Sequence, residues 1–223
     1  MKKSNKLNED SIELSGATFS ALCAEIKYND RADLMLIHLD VGSTLAGVFT
    51  KSSTQSASVK WSRKIIENYR NRDDEPYAIM VNSGNANACT GKKGFSNTKK
   101  ILNLLANKLS CTSDEIIIMS TGIIGRQLPL DRIQKSIKKN TFDNYSSLKE
   151  AACAVMTTDK YPKYLSKSYQ IGSKKITFSG LCKGAGMIEP NMATMLAFIE
   201  TNVSINKRKL KKYLNYCANL SFN

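Results

Sequence analysis

The chain has 223 residues, 42% of them hydrophobic, and a net charge of +14 from 33 basic and 19 acidic residues. That is enough apolar material to bury a sizeable core in one or two lobes, and with no apolar run near the roughly 18 residues that a bilayer requires, a transmembrane helix is excluded. The lysines are spread along the sequence and no aromatic residues interleave with them as on a base-stacking surface, so neither nucleic acid nor membrane is expected as a partner.

The first ten residues are polar and include Glu9 and Asp10. They lack the apolar core of a secretory signal and the arginines of a transit peptide, which reads as a frayed leader on a cytoplasmic protein. Residues 19–26 alternate as a half-buried strand, and 33–39 and 44–49 read as two more joined by the Asp40-Val41-Gly42-Ser43 turn. Residues 59–70 predict a helix, with Trp61, Ile65, Ile66 and Tyr69 at helical spacing. A strand over 77–81 is followed by a helix over 98–109 capped by Ser96 or Asn97. Residues 115–119 form an apolar strand, and 130–139 a helix with Pro129 and Asp131 at its start. An Ala-rich helix over 147–157 delivers Thr157 and Thr158 at its end. Residues 175–181 and 195–200 are strands. Ser204 caps a last helix that gathers Ile205, Leu210, Tyr213, Leu214 and Cys217 on one face and turns Lys207, Arg208, Lys209, Lys211 and Lys212 to water. Strands alternating with helices give an α/β fold.

Six cysteines (Cys23, Cys89, Cys111, Cys153, Cys182, Cys217) show no CxxC spacing and read as reduced, mostly buried thiols. The single histidine, His38, lies inside an apolar strand. Without a second histidine or a cysteine cluster no metal site is expected, and a core or strand-edge role suits His38 better than a catalytic one.

Three segments carry chemistry. In the stretch from Lys183 to Phe198, Thr194 follows the small residue Ala193, with a turn containing Gly184 and Gly186 before it and an apolar run after. A threonine freed there as a chain terminus would hold a hydroxyl to attack and an α-amine to accept its proton. The reference pKa of such an amine is about 7.7–8, and a buried Lys183 nearby would lower it further. At the end of the 115–119 strand, Thr121 offers a hydroxyl and Gly122 an unhindered N–H, two donors able to converge on an oxyanion. The Asn82–Gly91 loop is rich in Asn, Gly and Ser, residues that wind tightly, and suggests a pocket wall without a catalytic role.

The ordered set NSGNANACTG (82–91), STGIIG (120–125), MTTDKYPK (156–163) and KGAGMIEPNMATMLAF (183–198) resembles the ornithine acetyltransferase family, the bifunctional glutamate N-acetyltransferases of arginine biosynthesis. The resemblance runs from about Ser11 to the end of the chain. It implies layered mixed β-sheets flanked by helices. It implies autocatalytic cleavage between Ala193 and Thr194, so that 1–193 is a first (alpha) chain and 194–223 the start of a second (beta) chain, cut short, since family chains are about twice this length. It further implies that Thr194 is the nucleophile carrying acetyl from N-acetylornithine to glutamate, that Thr121 and Gly122 form the oxyanion hole, and that Thr157 (or its neighbour Thr158) and Lys183 contact substrate together with Thr194. No bound cofactor is implied, and acetyl-CoA as a second donor is left open. The implied partner is the protein's own second chain, in a heterotetramer of two alpha and two beta chains. Two alternatives stand beside this: a related threonine-nucleophile amidase or aminopeptidase, in which water takes the acyl group, and an inactive partial chain.

Overall fold

The computed structural model describes Leu14 and residues 16–68, 77–185 and 195–222. Its first sheet has four strands in the order β1 (Ala17–Leu22), β2 (Leu34–Leu39), β3 (Tyr77–Asn82) and β4 (Ile116–Ser120). The first three are antiparallel neighbours, and β4 runs parallel to β3. A parallel return needs a long crossover, and α2 (Gly91–Leu109) lies within it.

Side chains on β2 alternate between faces, and both faces are buried. Leu34 and Leu36 join Ala78, Met80, Ile116 and Ile118 in a core closed by α1 (Ala57–Asn68), α2 and α3 (Leu130–Lys139). Met35, Ile37 and Val81 point the other way, onto α4 (Leu148–Ala154) and Leu181. Each such aliphatic side chain contributes about 1.5–3 kcal/mol on burial. The second sheet is antiparallel, in the order β5 (Lys163–Ile171), β6 (Lys174–Lys183) and β7 (Leu196–Thr201). Helix α4 touches strands of both sheets. The expected mixed sheets flanked by helices are therefore present. No helix among the described residues is long and apolar enough to cross a membrane.

Several predicted elements move. Strand β1 stops at Leu22 because the carboxylate of Asp33 takes the next outward amides, Ala24 N at 2.8 Å and Ile26 N at 2.6 Å. Residues 44–49 form no strand: β1 and β3 already occupy both sides of β2, and Leu45 and Phe49 pack on the core from a loop instead. Helix α1 covers 57–68, and Tyr69 and Arg70 lie outside the described residues. Helix α2 begins at Gly91, one turn and more before the predicted 98, with Thr90 at the cap position and Asn97 buried within it. Helix α4 closes at Ala154, its Ser147 cap and Glu150 forming a reciprocal capping box, so Thr157 and Thr158 lie in the loop beyond. Strand β5 has no counterpart among the predicted elements. Helix α5 (Lys207–Ser221) starts two residues later than a Ser204 cap implies, and Asn206 rather than Ser204 accepts the first-turn amide, from Lys209 N at 2.9 Å. Its predicted apolar face is not buried, since Ala218 alone in the helix is buried and Tyr213 is 55% exposed. The cysteines are free as expected, yet none is buried, and Cys23, Cys89 and Cys217 are exposed. His38 sits on β2 with its ring 5.9 Å from that of Phe142, and burial lowers its pKa.

Strand β4 is an edge, and an uncovered edge leaves backbone groups unpaired. Helix α1 covers it with side chains. Trp61 Nε1 donates to Ile116 O at 3.1 Å. The Ser62 hydroxyl donates to Ile118 O at 2.6 Å and accepts from Ile118 N at 2.9 Å. Ser58 and Ser120 share a hydrogen bond of 2.6 Å between their hydroxyls. Replacing Ser62 with alanine strands both Ile118 groups in a dry interface. The expected loss is about 1–3 kcal/mol, read as a lower urea midpoint at unchanged slope.

Candidate active site

Strand β4 ends in a turn whose shape is imposed by the Asn82–Gly91 loop. Thr121 N donates to Asn82 O at 3.0 Å, Ile123 N to Gly84 O at 3.2 Å, Ala86 N to Ile123 O at 2.9 Å and Gly125 N to Ala88 O at 2.9 Å. The Asn85 side-chain amide donates to the carbonyls of Arg126 and Gln127 at 3.2 and 3.1 Å, and Asn85 Oδ1 accepts Asn87 N at 2.8 Å. The loop is thus the template for the turn, a structural role that its Asn and Gly content alone did not identify.

Gly122 sits at the centre with φ +134°, and a Cβ there would lie 2.2 Å from Gly84 C and 2.5 Å from Asn85 N. Only glycine fits this conformation and this approach. Among the described residues no acceptor meets the Gly122 N–H. Beside it, Thr121 is 1% exposed. Its hydroxyl oxygen accepts a hydrogen bond of 2.7 Å from Lys183 Nζ, reaching across from the end of β6. That bond leaves the Thr121 proton free to be donated. Thr121 and Gly122, the two donors expected from the sequence, are neighbours in this turn, and Lys183 reaches the first of them.

Lys183 is 5% exposed. Burial pushes its pKa below the ordinary lysine value, while the charge of Asp159 raises it and that of Lys163 lowers it. Asp159 is the residue that sequence reasoning passed over. Its Oδ1 accepts Lys163 Nζ at 2.6 Å and Gly184 N at 2.8 Å, and its Oδ2 accepts Thr157 N at 3.2 Å. Burial opposes its ionisation, but the hydrogen bonds from Lys163, Gly184 and Thr157 and the charge of Lys163 outweigh that and hold the carboxyl at about 2. Thr157 is so tied to the residue after Lys183. Its carbonyl accepts the Tyr28 hydroxyl at 3.4 Å, and the adjacent Met156 carbonyl accepts the Arg31 guanidinium at 2.7 Å. Thr121, Gly122, Lys183 and Thr157 are all brought to one region. Ala193 and Thr194 lie outside the described residues. Among the described residues no three His, Cys, Asp or Glu side chains are grouped to hold a metal ion.

Residues 18–223 match the model of the ArgJ family. The chain belongs to the ArgJ family. It is 38% identical over 198 residues to the mitochondrial arginine biosynthesis bifunctional protein ArgJ of Dictyostelium discoideum, covering 89% of this chain and 44% of that one. The ArgJ of Geobacter sulfurreducens is 36% identical over 213 residues, covering 95% and 53%. The chain thus spans about half the length of these curated relatives. Two crystal structures share the fold. ArgJ of Bacillus halodurans aligns with a TM-score of 0.70 at 30% identity, over 80% of this chain and 92% of that chain. The ornithine acetyltransferase of Mycobacterium tuberculosis, complexed with ornithine, aligns with a TM-score of 0.67 at 31% identity, over 82% and 93%. Both crystal chains are nearly filled by the alignment, unlike the full-length relatives.

Two predictions follow from this geometry. Gly122→Ala forces a Cβ into the backbone of the Asn loop, and the strained φ alone costs about 1–3 kcal/mol; a drop in melting temperature with lost amide protection across 121–125 is the expected result. The Asp159 pKa is depressed on folding from its ordinary 3.8 to about 2. Its stabilisation is therefore complete above 3.8 and disappears as pH falls through about 2. Urea midpoints should fall across that window in the native sequence and stay flatter in Asp159→Asn.

Proposed function

We propose that this chain carries the nucleophile and oxyanion hole of a glutamate N-acetyltransferase that takes acetyl from N-acetylornithine. The observation that carries the reading is the buried Lys183–Thr121 hydrogen bond of 2.7 Å beside a Gly122 N–H that no acceptor among the described residues meets. Leu196, two residues on from Thr194, pairs with Lys183 across β6 and β7. Family membership and the ornithine complex of the Mycobacterium tuberculosis relative support the substrate class. The near-complete coverage of the crystal chains, against half of the full-length relatives, supports a division into two chains.

In this reading the bond between Ala193 and Thr194 is cut by the chain itself, leaving 1–193 as the alpha chain and 194–223 as the opening of the beta chain. Thr194 Oγ then attacks the acetyl carbonyl and its new α-amine accepts the hydroxyl proton. The Thr121 hydroxyl and Gly122 N–H donate to the oxygen as it becomes negative, and one such donor is worth about 2.7–4 kcal/mol. Lys183, by donating to Thr121 Oγ1, polarises that hydroxyl and makes it a stronger donor. Collapse of the intermediate breaks the amide, and the leaving amine of ornithine takes the proton from the Thr194 ammonium. The amine of glutamate attacks the resulting acetyl ester, and the same steps run in reverse order. Thr157 and Lys183 line the acceptor site. The working assembly is two alpha and two beta chains in the cytoplasm, with no cofactor, and acetyl-CoA is a candidate second donor.

The test is intact mass after expression of the complete polypeptide, followed by transfer assays. Two fragments divided after Ala193, and an acetyl-enzyme that persists until glutamate is added, are expected. Rapid clearance without glutamate would assign hydrolysis instead. Thr194→Ala should abolish both cleavage and transfer, and either activity surviving in that variant refutes the assignment.

A further inference from the structure

We propose that Asp159 is a positioning residue for the Lys183–Thr121 pair, holding the Thr157 loop and the end of β6 around one buried carboxylate. The inference rests on the reading of this site given above. The side chain of Asp159 is 1% exposed, and each oxygen is committed. Oδ1 takes Gly184 N at 2.8 Å and Lys163 Nζ at 2.6 Å, while Oδ2 takes Thr157 N at 3.2 Å. Three segments therefore meet at this group: the loop after α4, the first residue of β5, and the residue that follows Lys183. Gly184 has φ +152°, so the chain leaves β6 in a conformation that few side chains would adopt. A hydrogen bond to its amide fixes that departure.

The carboxylate also acts through charge. Among the described residues the charged groups acting on Lys183 are Asp159, which favours its ammonium, and Lys163, which opposes it. Burial opposes the ammonium as well. Asp159 thus favours the ammonium form of Lys183, the form that donates to Thr121 Oγ1. Lys163 in turn holds Asp159 ionised. Lys163 acts on Asp159 by hydrogen bond and on Lys183 by repulsion, Asp159 acts on Lys183, and Lys183 acts on Thr121. Asp159 itself touches no reacting atom.

The experiment follows the Lys183 side chain by NMR in protein labelled with 13C and 15N lysine, its signal assigned by its loss in Lys183→Arg. Its titration midpoint should fall in Asp159→Asn and rise in Lys163→Met, with the double variant between the two. A carboxylate that only braced the loop would leave the midpoint unmoved in Asp159→Asn. Exchange protection of the Gly184 and Thr157 amides should be lost in Asp159→Asn. An unmoved midpoint, or shifts of one sign in both variants, overturns the proposal. If Asp159→Asn does not fold, Asp159→Glu takes its place, and an unmoved Lys183 midpoint with unchanged Gly184 and Thr157 protection in that variant overturns the proposal. Acetyl transfer is measured on the same samples: opposite shifts without any transfer refute the acetyltransferase reading only, and transfer with an unmoved Lys183 refutes this inference only.

Discussion

An ammonium taken out of water costs several kcal/mol unless other groups replace the water it loses. Lys183 is such a group, 5% exposed at the seam between the two sheets. It is held by the hydroxyl of Thr121, across from β6 to the turn after β4. That contact constrains everything around it. If the sheets slid past one another, the charge would lose the Thr121 hydroxyl, so the inter-sheet packing of Leu181 against Val81 and α4 and the polar contact at the strand ends fix the same register. An aliphatic side chain would fill the space at lower cost, and it would leave Thr121 with no donor to polarise it.

The rest of the site is built mainly from backbone, which suits a group that must not relax when charge develops. The turn of Thr121 to Gly125 is pinned by amides and carbonyls of the Asn82–Gly91 loop on one side. On the other side, the edge of β4 is closed by Ser58, Trp61 and Ser62 of α1. Both supports lie on elements that also close the larger core. The second sheet contributes Leu181 to the core and the charges of Lys163 and Lys183 to the site. Precision thus comes from the first sheet, and electrostatics from the second.

Much of this was legible in the sequence wherever periodicity and local chemistry agreed. The apolar runs of β2 and β4, the spacing of Trp61, Ile65 and Ile66 in α1, and the Pro129–Asp131 start of α3 were read correctly. The failures share a cause: the deciding interaction was distant. Residues 44–49 carry a strand-like pattern and were displaced because β2 had no free side. Strand β5 alternates lysine, serine and tyrosine without a strong apolar face, and it exists because β6 pairs with it along nine residue pairs. The polar start of α2 at Gly91 looked like loop, and its Gly94 is needed because a Cβ there would sit 1.8 Å from the Thr90 hydroxyl. Thr121, Gly122 and Lys183 could be named from motif order, but their hydrogen bond spans 62 positions and has no local signature. Asp159 was invisible for the same reason: two of its three partners, Lys163 at the start of β5 and Gly184 just past β6, are brought to it by strand pairing that has no local signature.

A scission between Ala193 and Thr194 would have to leave the new terminus in place, and the sheet explains how it can. Strands β6 and β7 lie on opposite sides of that bond in sequence, and they pair antiparallel from Phe178 with Thr201 to Lys183 with Leu196. Cutting the connection removes covalent continuity but none of those ladder hydrogen bonds. The entropy released is confined to the short connection, since β7 keeps its partner. Its first residue, Leu196, would remain opposite Lys183. The antiparallel pairing thus lets one backbone bond be lost while both halves of the site remain in register.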